Sequence, residues 1–380
     1  MDWEAFAARL AESVTGRDSS WREPVASVPR HRFVPSWWDT PDGVPFGQWM
    51  SWAGPRDEEA WLAATYADQT LVTQVDGHHA DHTEPGATCE GLPTSSSTLP
   101  SLVVRILGYG DVYPGADVLD VATGSGYSAA LLCHRLGDHH VSSLDVDPYL
   151  VDAAAERLAA IGYRPTMLPL DARKKLPGSF DRIVSMVGIR PVPPSWLEAL
   201  RPGGRLVTVI AGTSLILTAT KNERGVAVGR IEWERAMFMP TRAGAGRYPP
   251  RPDRPPQTDG EGETVALSPY PVVFPSESWD LAAMLEITEP GIQHDFTEGD
   301  SGERAAYLWH QDGSWARATS LPEGGSAIHQ GGKRRLWDLV DDIRRHWLEH
   351  GELPVRGARA VVRPDGRVTL KRGGWKAVIQ

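Results

Sequence analysis

The chain has 380 residues, of which 41% are hydrophobic, so it can bury a large core and form two domains. Its formal net charge of −10 excludes a general nucleic-acid-binding protein, because phosphate contacts need clustered Lys and Arg. Two cysteines, no visible secretory signal and no run of ~20 apolar residues exclude a disulfide framework and a membrane partner, and we expect a cytoplasmic protein.

The first 110 residues are predicted to form a covering layer of helices and loops. Asp2 is a predicted N-cap for a helix whose apolar face contains Trp3, Phe6, Ala7 and Leu10. The following residues are rich in Trp, Pro and Gly and show little periodicity. Such layers often carry function because loops present side chains on a rigid scaffold.

A cluster of His78, His79, Asp81 and His82 suggests a metal site. Its flanks are loop-forming, so no helix face fixes the ligands, and structural zinc usually takes cysteines or a more distant second ligand pair. We therefore predict a solvated polar loop without a metal.

A run of hydroxyl side chains, the hydroxyl segment (residues 94–98), precedes a predicted helix with an apolar stripe at 102, 103, 106 and 107. Pro100 suits the first turn of that helix. We expect at least one hydroxyl to be the N-cap, but one cap does not need five such residues. A helix N-terminus with several donors is well suited to holding a carboxylate.

The strongest local pattern is a predicted strand at 118–121 that enters a small-residue turn and then a helix. This order lets backbone amides approach a ligand closely. A second predicted strand ends at Asp145, where an acid can bind ribose hydroxyls. The spacing of Asp120, Ala122, Gly124 and Gly126 differs from G-x-G-x-x-G, so a methyl donor is favoured over a dinucleotide.

The rest of the chain predicts a sheet followed by a second unit. Strands at 166–170, 180–187 and 205–210 alternate with helices, and a hairpin at 215–238 follows, which is typical of an α/β sheet with parallel strands. The Pro-rich stretch 243–263 is predicted to be a linker. Beyond it, Asp312-Gly313 and Pro364-Asp365-Gly366 predict hairpins on either side of a helix. The predicted segments are 1–110, 111–242, 243–263 and 264–380.

Several motifs together resemble the protein L-isoaspartate O-methyltransferase family. The turn at 118–127 is similar to motif I of class I S-adenosylmethionine-dependent methyltransferases and to that family's V-L-E-I-G-T-G-S-G-Y. Residues 28–35 resemble its V-P-R-x-x-F-V, and 96–100 its T-I-S-x-P. Residues 180–184, 200–207 and 238–240 match its later motifs. The resemblance implies a Rossmann-like doubly wound sheet with an N-terminal covering layer and a smaller α+β C-terminal domain.

The resemblance also implies a cofactor, S-adenosyl-L-methionine, and the residues of its site. The cofactor would be bound by Asp120, Ala122, Thr123, Gly124, Ser125, Gly126, Tyr127, Asp145, Val146, Asp171 and Ala172. The acceptor carboxylate would be held by Thr98, Ser97 and Ser96. An aspartate is ionised at neutral pH, so catalysis would consist mostly of positioning it and excluding water.

Two departures from the family suggest a changed substrate. The family's active-site serine aligns with Thr98, which leaves Ser97 one position out of register, and the stretch 49–91 is longer than usual. The C-terminal region resembles that of actinobacterial relatives that tailor lanthipeptides, lasso peptides and graspetides. We therefore expect methylation of an aspartate in a cyclised precursor peptide, with closure to aspartimide. We expect the enzyme itself to be a monomer. Isoaspartyl repair, a small-molecule or nucleic-acid methyltransferase and a non-catalytic peptide-binding module are the alternatives.

Overall fold

A computed structural model describes residues 2–40, 47–244, 248, 252–300 and 302–380. Within these ranges the chain forms three sheets, of six, ten and five strands. No helix in the described part of the chain has the length and apolar composition needed to cross a membrane. Short 3₁₀ helices lie at Arg30–Phe33, Gly54–Arg56, Ala80–His82, Asp138–His140, Pro256–Asp259 and Pro275–Glu277.

The N-terminal region contains helices and a small antiparallel sheet, which we call the N-terminal sheet. Its elements are α1 (Trp3–Val14), α2 (Arg22–Ser27), β1 (Ser36–Asp39), β2 (Gln48–Ala53), α3 (Glu58–Thr65), β3 (Leu71–Val75), β4 (His78–His79), β5 (Thr88–Glu90), β6 (Pro93–Ser97) and α4 (Pro100–Tyr109). Asp2 caps α1 as predicted. The strands run in the order β4-β3-β1-β2-β5, and β6 pairs with β3. The expectation of loops here is wrong, because strands of two to six residues are too short to show an alternating pattern.

The central sheet follows the predicted α/β pattern. Its first elements are β7 (Val118–Val121), α5 (Tyr127–Leu136), β8 (Val141–Asp145), α6 (Pro148–Ala159), β9 (Thr166–Pro169), β10 (Phe180–Ile189), α7 (Pro194–Ala199), β11 (Leu200–Ile210), β12 (Leu215–Lys221) and β13 (Ala227–Arg235). Strands β9, β8, β7, β10 and β11 are mutually parallel, and β12 and β13 are antiparallel. The predicted Rossmann-like sheet is confirmed.

The C-terminal region forms a third sheet and adds strands to the central one. Its elements are β14 (Thr264–Ser268), α8 (Trp279–Thr288), β15 (Gln293–Glu298), β16 (Arg304–Trp309), β17 (Trp315–Ser320), β18 (Ser326–Gly331), α9 (Leu336–His350), β19 (Arg359–Val362), β20 (Val368–Arg372) and β21 (Trp375–Ile379). Both predicted hairpins form, at β16–β17 and at β19–β20. Strand β19 pairs with β13, so β19, β20 and β21 continue the central sheet.

The hydrophobic core is continuous between the central and C-terminal regions, which the sequence analysis treats as separate segments. One continuous apolar cluster contains Leu119 and Trp196 of the central region together with Phe274, Leu308 and Trp337 of the C-terminal region. Of the predicted linker, residues 245–247 and 249–251 lie outside the described residues. Its described end is packed rather than extended, because Thr258 is buried and accepts a hydrogen bond from Arg317. The four-segment division of the chain therefore stays a prediction, with the central sheet shared between two of its segments.

The strand order places a cavity at the carboxyl ends of the parallel strands. Strand β7 lies between β8 and β10. After β7 the chain continues to β8 and β9 on one side, and it then crosses to β10 and β11 on the other side. Ligands of doubly wound sheets bind at this switch in strand order. The cavity is lined by residues at or just after the carboxyl ends of β7, β8 and β9, by Met186 and Val187 of β10, and on its other side by the hydroxyl segment.

Candidate active site

The glycine turn (residues 122–126) forms one wall of the cavity. Its backbone crosses over β8, where the amides of Ala122 and Thr123 donate to Leu144 O at 2.9 and 3.0 Å. Gly126 has φ +92°, and a Cβ there would lie 2.9 Å from Ala154 Cβ of α6. This position therefore requires glycine, for backbone conformation and for space.

Ala122 adopts a backbone conformation that normally favours glycine. Its φ is +70°, in the left-handed region, which costs an L residue with a Cβ roughly 1–2 kcal/mol. The resemblance places a glycine there. The alanine is tolerated because the hydrogen bonds of the glycine turn to β8 hold the backbone in place.

Asp145 lines the cavity and also holds the glycine turn. Its Oδ2 accepts from Gly124 N at 3.0 Å, and its Oδ1 accepts from Asp147 N at 3.1 Å. The carboxylate is buried, and this burial raises its pKa. Val146, the next residue, also lines the cavity. Asp145 is thus placed at the tip of the second strand, as the sequence predicts.

Asp120 lies behind the glycine turn and does not line the cavity. Its Oδ2 accepts hydrogen bonds from Ser143 Oγ at 2.8 Å and Ser128 Oγ at 3.1 Å. Burial raises the pKa of this fully buried carboxyl to about 7. The geometry makes Asp120 a support for the turn rather than a contact to a ligand.

The remaining predicted cofactor residues divide in the same way. Thr123, Gly124, Ser125 and Tyr127 line the cavity together with Ala122, whereas Gly126 does not. Thr123 Oγ1 lies 2.7 Å from Ser143 Oγ, and the Tyr127 hydroxyl has no hydrogen-bond partner among the described residues.

Asp171 and Ala172 border the cavity after β9. The Asp171 carboxylate is engaged by Arg173, with Nη2 to Oδ2 at 2.7 Å and Nε to Oδ1 at 3.0 Å, and this neighbour lowers its pKa. The carbonyl of Ala172 accepts from the buried Trp196 Nε1 at 2.8 Å. Leu170 and Ala172 give this end of the cavity an apolar surface that suits a flat heterocycle.

The hydroxyl segment forms the opposite wall as strand β6 and the residues after it. Ser96 and Thr98 line the cavity, and a Cβ on Gly124 would lie 3.3 Å from Ser96 O, so the two walls are in contact. Ser97 is buried outside the lining, where its Oγ accepts from Arg30 Nη2 at 3.4 Å. Thr94 and Ser95 also line the cavity, so the lining does not follow strict strand alternation, and the pairing of β6 with β3 is irregular between Val72 and Val75.

The expected hydroxyl N-cap of α4 is wrong. The residue before the helix is Leu99, which makes no side-chain cap, because the hydroxyl segment is extended and paired with β3. Two side chains from another loop bind the first amides instead. Thr70 Oγ1 accepts from Leu99 N at 3.2 Å and Asp68 Oδ1 accepts from Ser101 N at 2.8 Å.

The cavity is completed by residues that the sequence analysis did not assign to the site. Arg242 lines it, and its Nη2 donates to Gln74 Oε1 at 3.0 Å and to Thr94 O at 3.2 Å and lies 4.0 Å from Asp147 Oδ2. Tyr248, within the predicted linker, also lines it. Met237 and Phe238 contribute apolar surface. The closing Phe238-Met239-Pro240 motif was the only signal that this part of the chain reaches the site.

The predicted solvated loop at 78–82 is also wrong. Asp81 accepts hydrogen bonds from Arg157 and from the Tyr149 hydroxyl on α6, and His79 is 5% exposed. Burial lowers the pKa of His79 to about 4, so the imidazole is neutral at pH 7. The described residues contain no group of three His, Cys, Asp or Glu side chains that could hold a metal. The cluster attaches the N-terminal sheet to the central region.

A family model described as Protein-L-isoaspartate(D-aspartate) O-methyltransferase (PCMT) matches residues 83–245. The chain is 33% identical over 230 residues to protein-L-isoaspartate O-methyltransferase 2 of Syntrophobacter fumaroxidans, covering 58% of this chain and 76% of that relative. It is 30% identical over 139 residues to the protein-L-isoaspartate O-methyltransferase of Ignicoccus hospitalis, covering 35% of this chain and 66% of the relative. A solved structure titled protein-L-isoaspartate O-methyltransferase has a TM-score of 0.51 at 16% identity and covers 99% of this chain and 98% of its own. At that identity the likeness shows the fold alone.

Proposed function

We propose a substrate for this chain, which belongs to the protein-L-isoaspartate O-methyltransferase family. The protein is a carboxyl O-methyltransferase, and its cofactor is S-adenosyl-L-methionine. When bound, this cofactor supplies an electrophilic methyl group on a sulfonium. The acceptor that we propose is an aspartyl carboxylate of a peptide.

The residues of the cavity fit the cofactor. Gly124 lines the cavity without a side chain, and a Cβ there would already crowd the opposite wall. Asp145 would hold the ribose hydroxyls, because it is the carboxylate at the end of β8 in the lining. Val146, Asp171 and Ala172 would border the adenine.

The hydroxyl segment forms the cavity wall opposite the glycine turn, and we call it the acceptor wall. Its side chains support the proposed reaction. Thr98 and Ser96 line the cavity with small hydroxyl side chains, and hydroxyls can donate hydrogen bonds to a carboxylate. An aspartate needs no general base because it is ionised at neutral pH. The only cationic side chain among the described lining residues is Arg242, which already donates to Gln74 and Thr94. These residues therefore orient the carboxylate and exclude water rather than transfer a proton.

The finer substrate that we propose is an aspartate in a ring-containing, ribosomally made peptide. Its support is that the hydroxyl segment belongs to the N-terminal sheet, which is built largely from the long stretch 49–91. A change in that sheet directly changes the acceptor wall. A preorganised ring also loses less conformational entropy on binding than a linear chain does.

The methyl ester that forms on such an aspartate then closes without further help from the protein. The backbone nitrogen of the next residue attacks the ester carbonyl, a C–N bond forms, and the methoxy group leaves as methanol after taking up the amide proton. The product is a succinimide, also called aspartimide.

Isoaspartyl repair is the second candidate, favoured by the names of the relatives. The solved methyltransferase that covers 99% of this chain also has a counterpart of the C-terminal region. The presence of that region therefore gives no preference for a cyclised substrate.

The test is methyl transfer to four matched peptides, linear and cyclised, each with aspartate or isoaspartate at the same position. Mass spectrometry would follow gain of the methyl group and loss of methanol. We expect the cyclised aspartyl peptide to be methylated fastest. Efficient methylation of the linear isoaspartyl peptide, with both aspartyl peptides ignored, would establish repair instead.

A further inference from the structure

Arg30 is fully buried beneath the acceptor wall. Its guanidinium makes hydrogen bonds to backbone carbonyls from two separate segments. Nη1 donates to the carbonyls of Thr65 and Ala67, and Nη2 to those of Gln69, Ser97 and Thr98. None of these acceptors is a carboxylate.

Both segments held by Arg30 reach the cavity. The first leads into Thr70, which lines the cavity and accepts a hydrogen bond from Leu99 N. The second is the end of the hydroxyl segment, with Thr98 in the lining. The Cζ atom of Arg30 lies over the ring of Tyr127, the residue that follows the glycine turn, at 5.6 Å from the ring centre. One side chain thus contacts both walls of the cavity.

Fold stability alone does not account for this arrangement. Burying a guanidinium that is bonded to no carboxylate is costly, although the nearby Asp68 offsets part of that cost. An apolar side chain of similar volume is often neutral or better for stability. Burial lowers the pKa of Arg30 to about 10, so the group is still charged at neutral pH. The rigid, planar guanidinium can fix the positions of several carbonyl groups at once, which an apolar side chain cannot do.

We propose that Arg30 is a positioning residue for methyl transfer. It fixes the distance between the hydroxyls of Ser96 and Thr98 and the glycine turn. The inference rests on the proposed function. Misplacing an acceptor by about 1 Å can lower a rate about 100-fold, so a small shift of this wall is sufficient for a large effect.

The experiment compares Arg30→Lys and Arg30→Met with Arg182→Lys and Arg182→Met. Arg182 is a matched control, because it is 7% exposed and also donates to backbone carbonyls, those of Asp111 and Asp181. It lies at the start of β10, at the end of the sheet opposite the cavity. The measurements are melting temperature, affinity for S-adenosylmethionine, kcat, KM, and amide hydrogen exchange at 97–101.

We expect Arg30→Lys to lower kcat about 10- to 100-fold while cofactor affinity changes less than about threefold. Amide exchange at 97–101 should become faster in both Arg30 variants and stay unchanged in the Arg182 variants. The Arg182 variants should lose melting temperature but keep kcat when assayed well below it.

Equal kcat and equal exchange in the Arg30 and Arg182 variants at matched stability would overturn the inference. Hydrogen exchange also separates this inference from the proposed function. If the wild type methylates none of the aspartyl or isoaspartyl peptides, the proposed function fails. Exchange at 97–101 with S-adenosylhomocysteine bound would still support Arg30 positioning if it is faster in the Arg30 variants, and would reject it if it is unchanged.

Discussion

The glycine turn and the hydroxyl segment face each other across the cavity, and different contacts hold their backbones. The glycine turn is fixed by neighbours within about thirty residues, chiefly Leu144 and Asp145. The hydroxyl segment is paired with β3, which is equally near in sequence, but it is also held by groups far away, Arg30 and Arg242. The glycine turn, which we call the cofactor wall, is thus held within one local supersecondary unit. The acceptor wall combines local strand pairing with long-range contacts from Arg30 and Arg242. An enzyme built in this way can change its substrate while it keeps its cofactor.

The largest effect that would test this division is loss of cofactor affinity in Asp145→Ala. The change removes proposed charge-assisted bonds to the ribose, each worth roughly 1.5–3 kcal/mol, and the bond to Gly124 N. We expect the Kd for S-adenosylmethionine to rise about 10- to 100-fold by calorimetry. Asp152→Ala, at an exposed position on α6, is the control and should bind normally. Unchanged affinity in Asp145→Ala would remove this residue from the cofactor wall.

On the acceptor wall the expected effect is on turnover instead. Thr98→Val keeps the shape of the side chain but removes the hydroxyl, and we expect kcat to fall about tenfold, equivalent to ~1.4 kcal/mol in the barrier. Ser97→Ala should lose less, because Ser97 lies outside the lining. Melting temperature and cofactor Kd should stay near wild type in both. A larger loss in Ser97→Ala than in Thr98→Val would place the acceptor beside Ser97 instead.

Stability against pH tests whether Asp120 only supports the cofactor wall. Its folded-state pKa of about 7 lies above the ordinary value of 3.8, so between these values the folded protein binds more protons than the unfolded one. Its contribution to stability is therefore lost as pH rises from about 4 to about 7. We expect the melting temperature of wild type relative to Asp120→Asn to fall between pH 5 and pH 8. Parallel curves for the two proteins would mean that Asp120 does not titrate in this range.

The smallest expected effect concerns the strained residue of the glycine turn. Ala122→Gly relieves a left-handed alanine but gives the unfolded chain more freedom, so we expect a net stabilisation of ~1 kcal/mol or less. Ala130→Gly, at a fully buried position of α5, should instead be destabilised by more than ~1 kcal/mol, because a packed methyl group is lost in addition to helix propensity. Denaturant unfolding of both variants would measure the difference. If Ala122→Gly is as destabilised as Ala130→Gly, the turn carries no strain.

The parts of the site that could be predicted from the sequence are those formed by residues near one another in the chain. The strand, glycine turn and helix around residue 124 and the acid at 145 form a pattern with fixed short spacings, so their relative placement follows from the chain itself. The long-range partners of the acceptor wall could not be predicted in this way. Arg30 reaches carbonyls 35 to 68 residues away, and Arg242 reaches Gln74 across 168 residues.

The two wrong expectations in this region have the same cause. A hydroxyl beside a helix start predicts a cap, but pairing with β3 turned the hydroxyl segment into a strand. A polar run at 78–82 predicts a solvated loop, but Arg157 and Tyr149 of α6 bury Asp81. Local propensity was overridden by a partner that only the folded chain brings close.

The pairing of β19 with β13 also has a consequence for biosynthesis. Strand β13 leaves the ribosome with one edge open, and its partner follows after roughly 120 residues, which take on the order of ten seconds to translate at ~5–20 residues per second. During that interval the backbone donors and acceptors along Ala227–Arg230 lack their final partner and are exposed to pairing with other nascent chains. Folding of the methyltransferase sheet is therefore coupled to completion of the C-terminal region, and a protein shortened before β19 would carry this aggregation-prone edge permanently.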